Sequence, residues 1–140
     1  MATEGYLNHD GAQTVAAANY SNGAGGLGDG GSMQFLAVML TSAGRTSVLA
    51  SAAGQQIYGI LQNKPALGEA ADVGLQGVSK AIVGSAGVTA GSPIMVDATG
   101  SVVNWSSGSA YAQIGYAIET GVQYQVAAVY LFGSSNKVLT

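Results

Sequence analysis

The sequence predicts an all-β protein, a small β-barrel or sandwich built from two pseudo-repeated halves and preceded by an extended glycine-rich arm. Three observations predict it. From Met33 onward short apolar segments alternate with glycine or proline turns; no stretch of ten or more residues carries a helical apolar stripe; and the chain matches itself when shifted by 56 residues.

Residues 1–32 read as the arm. The run Asn19-Tyr-Ser-Asn-Gly-Ala-Gly-Gly-Leu-Gly-Asp-Gly-Gly-Ser32 is too rich in glycine to hold a helix or strand against its own entropy. Before it, Gln13 to Ala18 is too short for its periodicity to choose between a helical turn and an extended segment. The larger apolar groups Tyr6, Leu7, Val15 and Tyr20 are spaced like anchors for a neighbouring surface.

Residues 33–135 read as the β domain, and residues 136–140 as a tail. Strands are expected at Met33 to Leu40, Thr46 to Leu49, Ile57 to Gln62, Asp72 to Val83, Ile94 to Asp97, Val102 to Trp105, Gln113 to Glu119 and Tyr124 to Phe132. Between them stand turns such as Ser42-Ala-Gly, Lys64-Pro-Ala-Leu-Gly and Asp97-Ala-Thr-Gly, where glycine or proline lets the chain reverse. The repeat aligns Met39 with Met95, Gly44 with Gly100, Ser51 with Ser107 and Gly59 with Gly115. Each half thus reads strand, glycine turn, strand, loop, strand, and both are expected to feed one core.

Composition narrows the function. Of 140 residues 22 are glycine, where about 7% is usual, and charged residues make up 8%, where about 25% is usual. A hydrophobic share of 48% with a net charge of only -3 argues for folding and against global disorder. So few charges suit a surface that faces other protein. Arg45, Lys64, Lys80 and Lys137 are too scattered to form a phosphate-binding stripe, so nucleic acid is not an expected partner. The apolar stretch Phe35 to Leu40 falls far short of the ~20 residues that span a bilayer, and the N-terminal residues lack a basic region followed by an apolar run. A membrane is therefore not expected as a partner either, nor a secretory signal.

Sites of chemistry are sparse. There is no cysteine. Two overlapping G-x-G-x-x-G matches, at Gly23 to Gly28 and Gly26 to Gly31, lack the preceding strand and following helix that phosphate binding needs. Gly25-Gly-Leu-Gly-Asp approaches a calcium β-roll repeat, but in a single copy with the aspartate out of step. His9 is the only histidine and falls in the arm, where no held acid/base geometry is expected. Glu69 and Asp72, the closest carboxylates outside the arm, read as a solvated pair flanking a turn. The expectation is therefore a non-enzyme without catalytic residues, metal or cofactor. Trp105 with Tyr111, Tyr116, Tyr124 and Tyr130 leaves open a second reading, a glycan-binding module that stacks sugars on aromatic rings, against aromatics packed in the core or a subunit interface.

The stretch from Tyr58-Gly-Ile-Leu-Gln-Asn-Lys-Pro-Ala-Leu-Gly through Glu69-Ala-Ala-Asp-Val-Gly-Leu-Gln-Gly-Val-Ser-Lys80 resembles the capsid decoration, or cement, proteins of tailed bacteriophages. The likeness continues through Val88-Thr-Ala-Gly-Ser-Pro-Ile-Met-Val-Asp-Ala-Thr-Gly100 and Gln113-Ile-Gly-Tyr-Ala-Ile-Glu119 to Phe132. Within it, Pro65 fixes φ and Gly68 permits reversal, which makes Asn63 to Gly68 a rigid turn and a piece of scaffold. The resemblance implies a protein made in the host cytoplasm that sits on the outer capsid surface of the virion. It implies the major capsid protein as partner, a homotrimer as the bound form, and stabilisation of contacts between capsid subunits as the role. Tyr6, Leu7, Val15, Tyr20, Trp105 and Tyr111 are the candidate capsid or subunit interface.

Overall fold

The 56-residue spacing seen in the sequence is also the spacing of the backbone. The computed structural model describes residues 9–17, 34–44, 46–107, 111–132 and 137–138. Eleven strands account for the regular structure there: β1 (His9–Ala16), β2 (Ala37–Leu40), β3 (Thr46–Leu49), β4 (Gly59–Leu61), β5 (Ala70–Ile82), β6 (Pro93–Val96), β7 (Val102–Asn104), β8 (Ala112–Gln113), β9 (Gly115–Ala117), β10 (Val126–Leu131) and β11 (Lys137–Val138). Among the described residues there is no helix. β2, β3, β4 and the start of β5 recur 56 residues later as β6, β7, β9 and β10.

Nine strands form one sheet in the order β1-β3-β2-β4-β5-β10-β9-β6-β7, and β1 also pairs with β5. That pairing closes β1, β3, β2, β4 and β5 into a ring. A second ring runs β5, β10, β9, β6 and β7, and closes through the parallel bridge Val83↔Val102. The result is a barrel-like sheet in which β5 belongs to both halves. Its first residues pair with β1, Ala70 opposite Val15, and its last with β10, Ile82 opposite Val126. Ala70 and Val126 are equivalent under the repeat, so the end of β5 serves the second half as β1 serves the first. Hydrogen bonds agree: Ala16 N donates to Glu69 O at 2.9 Å, and Val83 N donates to the equivalent Gln125 O at 2.8 Å. A 13-residue strand that pairs with β1 and β4 along its first part and with β10 along its last follows from this double duty.

The turns repeat as well. Gly44 N donates to Thr41 O in the β2–β3 hairpin, and Gly100 N to Asp97 O in the β6–β7 hairpin; both glycines have φ near +80°, at +75° and +85°, a region open to glycine at no steric cost. In the second hairpin Asp97 Oδ1 also accepts from Thr99 N at 2.8 Å and Ser101 N at 3.1 Å, an Asx-type closure.

Two clusters of buried side chains build the interior. The larger cluster draws Ala37, Ala50 and Ile60 from the first half and Ile94, Val96, Val102, Ile114, Val129 and Leu131 from the second, as the shared core requires. A smaller cluster of Ala16, Val38, Leu61, Ala71 and Val73 lies within the first ring. Each fully buried Val, Leu or Ile contributes about 1.5–3 kcal/mol relative to exposure, which is how a chain without disulfides is held together.

Several expected strands differ in extent. Of the expected strand Met33 to Leu40, Met33 lies outside the described residues and the strand begins at Ala37, because Phe35 has φ +72° inside a turn and an extended run cannot pass through it. Gln113 to Glu119 is two strands: at Ile114 the chain leaves its pairing with β11 and takes up β10, so β8 and β9 are separate. Gln13 to Ala18, whose conformation the periodicity left open, is extended through Ala16. Residues 9–16, read within the arm, form β1, antiparallel to β5 and parallel to β3. His9 therefore stands in a strand, opposite Gly77, not in the mobile setting expected of it. Lys137 and Val138, read as tail, pair with β8.

Candidate interaction surface

The second ring turns an apolar face outward. In β10 the inward side chains Ala127, Val129 and Leu131 are buried, while Val126 is 48% exposed and Ala128 and Tyr130 are half-buried. Alternation along a strand sends these two sets to opposite sides. Outward residues line up across four strands because directly paired residues share a face. Val78 on β5 lies opposite Tyr130, Tyr130 opposite Tyr116, and Tyr116 opposite Pro93 on β6. Beside this row runs a second, Lys80 opposite Ala128, with Ile118 N donating to Ala128 O at 2.9 Å. Tyr116 and Ile118 are 41% and 45% exposed, so the apolar groups are open to contact.

Aromatic packing stiffens the face. The Tyr116 and Tyr130 rings are stacked, with centroids 5.2 Å apart and planes at 17°, and Phe132 meets Tyr116 edge-on at 6.2 Å. Such arrangements satisfy the ring quadrupoles and restrict the side chains. At one end of the ladder the turn Val122 to Gln125 projects Val122 and Tyr124, both more than half exposed. The turn is held by Gln125, whose N donates to Val122 O and whose Oε1 accepts from Val122 N, each at 3.0 Å.

The residues singled out from the sequence fall in three places. Trp105 and Tyr111 come together at the edge of the face: Trp105 N donates to Pro93 O at 2.8 Å, and its indole Nε1–H to Tyr111 O at 3.0 Å. Both are half-buried, and the Tyr111 ring covers Gly54. Val15 is 40% exposed but lies in the first ring, opposite Ala70, apart from the aromatic row. Tyr6, Leu7 and Tyr20 lie outside the described residues. What sequence reading did not assemble is the row Val78–Tyr130–Tyr116–Pro93, since it depends on which strands become neighbours. One signal was present. Val126 to Phe132 is apolar at both alternating sets of positions, where a strand with one solvated face would alternate with polar residues.

The polar groups act as scaffold. Glu69 Oε1 accepts from Ala66 N at 2.7 Å, and Asp72 Oδ1 from Gln13 Nε2 at 2.8 Å, so the expected solvated pair is engaged in turn and strand contacts. Among the described residues no group of three His, Cys, Asp or Glu is placed to hold a metal ion, and no helix is long and apolar enough to cross a membrane.

No protein-family model matches the chain, and no curated protein matches it. Among solved structures it is similar to the N base of the head fiber protein gp8.5 of bacteriophage phi29, with a TM-score of 0.63 and 15% sequence identity. The likeness covers 94% of this chain and 98% of that one. At this identity it is a likeness of fold.

Proposed function

We propose that this protein is a structural decoration, or cement, protein of a tailed-phage head. It binds the outer surface of the assembled shell as a homotrimer and bridges neighbouring subunits of the major capsid protein, after synthesis in the host cytoplasm. The observation that carries this reading is the end-to-end likeness of its fold to the base of a phage head fiber, at 94% and 98% coverage. A base that fastens a fiber to a head and a cement module present the same physical problem: a rigid β scaffold must grip a protein lattice. The sequence resemblance to decoration proteins and the scarcity of charge support the same reading, and the preformed apolar face of β10 and β9 supports its homo-oligomeric form.

The mechanism is binding alone. A ligand that recognises only the assembled lattice stabilises it by mass action, about 2.7 kcal/mol per site at a free concentration 100 times Kd. Summed over many sites this opposes the outward pressure of packaged genome. No cofactor, nucleic acid or membrane enters, and no residue is assigned a catalytic role. Trp105, which the glycan-binding alternative needs as an open ring face, is half-buried, with its indole N–H bonded to Tyr111 O.

Co-sedimentation of the purified chain with expanded heads that lack decoration tests the proposal. Saturable uptake is expected. Failure to bind any of several such heads, together with saturable binding to sugars, would overturn it.

A further inference from the structure

The internal repeat gives the apolar face a counterpart. In the first half the row equivalent to Pro93, Tyr116 and Tyr130 is Ala37, Ile60 and Gly74, and it is buried, Ala37 and Ile60 within the main core. Ile118 stands where the first half has Gln62, Ala128 where it has Asp72, Phe132 where it has Gln76, and Val126 where it has Ala70. At these four positions the first-half side chains are polar or small, and Asp72 and Gln62 are tied into hydrogen bonds with Gln13 and Ser79. One scaffold within one chain therefore has a version of this row that the fold covers and a version that it leaves partly exposed.

Charge tells what covers it. Lys80 projects from β5 opposite Ala128, exposed, on one flank of β10. On the other flank, just past β9, Glu119 places Oε1 2.8 Å from Ala128 N and accepts its hydrogen bond. An uncharged apolar strip thus carries a cation on one side and an anion on the other, at the same level along β10. Such a strip is complementary to itself.

We propose that this face is where copies of this chain meet, the Lys80 flank of one copy against the Glu119 flank of the next. The proposal deepens the decoration reading, on which it rests for its place on the head, by assigning the partner at β10 and β9 to a second copy and leaving the capsid to another surface. A head-to-tail contact of this kind generates a ring where its rotation closes, as the homotrimer of the decoration reading requires. Ring closure also answers the question of size. The strip offers fewer side chains than the roughly 20–30 residues per partner of a stable pairwise interface, whereas in a ring each copy contributes both flanks.

The test is sedimentation equilibrium of the full-length chain without capsids, across a wide concentration range. The native chain is expected to self-associate. Lys80→Glu and Glu119→Lys each place like charges across the contact and are expected to weaken association by about tenfold or more, and the double exchange is expected to restore it to within about threefold. Glu119→Gln retains an acceptor for Ala128 N and removes only the charge, so it serves if Glu119→Lys does not fold. A native chain that stays monomeric, or single variants that associate as the native chain does, overturns the proposal. Folded single variants that weaken association without rescue by the double exchange also overturn it. The two readings fail separately: a monomer that still binds heads removes this interface alone, and a self-associating chain that binds no head removes the decoration role alone.

Discussion

Gly59 and Gly115 occupy the same place in the two halves, and each is glycine for the same reason. A Cβ on Gly59 would lie well inside 3.0 Å of Gly74 O, and a Cβ on Gly115 closer still to Tyr130 O. Gly74 and Tyr130 are themselves equivalent, so the identity at this position records one close strand approach, made twice. Gly115→Ala must push backbone against backbone and is expected to cost about 3 kcal/mol or to prevent folding, whereas Gly68→Ala, with φ +82° and open space around it, is expected to cost about 1 kcal/mol. Urea unfolding midpoints of the two variants measure the difference.

Tyr124 has φ +71° where its counterpart is Gly68, and Phe35 has φ +72° where its counterpart, Gly91, has +84°. The two non-glycine residues differ in what their side chains do. Tyr124 is exposed, while Phe35 packs against the main core with Lys80 Nζ 5.9 Å from its ring centre. Tyr124→Gly trades relief of backbone strain against a freer unfolded chain and is expected to change stability by less than about 1 kcal/mol. Phe35→Gly is expected to lose 2 kcal/mol or more, roughly the burial of a large apolar side chain. Thermal unfolding at matched concentration separates the two.

Glu69 and Gln125 close equivalent turns through the same oxygen, accepting from Ala66 N and Val122 N. Replacing either by alanine is expected to cost about 1 kcal/mol, the ordinary net worth of one hydrogen bond. Glu69→Gln keeps the acceptor and is expected to be nearly neutral. Equilibrium denaturation of the three variants checks this.

The stacked pair Tyr116 and Tyr130 is expected to show a coupling of about 0.5–1.5 kcal/mol in a double-mutant cycle with alanine, read from chemical denaturation. Additive single effects would mean that the rings merely lie near each other.

The repeat was legible because strand length, turn position and glycine requirement are local, and all are set by neighbours within one half. Thr46 to Leu49 was placed with its observed ends for that reason. The double role of β5 was not legible. It equates Val15 with Ile82 through their pairing to Ala70 and Val126, and those two segments share no spacing or turn signal. The parallel contact of β1 with β3 likewise joins residues about 30 positions apart through backbone groups, which leave no trace in side-chain pattern. The same limit governs the surface. Tyr116 and Tyr130 were visible as aromatics in strands, but only the β9–β10 register stacks them and carries the row on to Val78 and Pro93.

The most direct test of the decoration role is an electron cryo-microscopy reconstruction of undecorated, expanded heads incubated with a saturating excess of the chain. The account predicts added density on the outer surface, at a copy number fixed by shell symmetry, fitted by the two-ring barrel across the boundary between capsid subunits. A shell indistinguishable from the untreated one, with the chain folded and in excess, would contradict it.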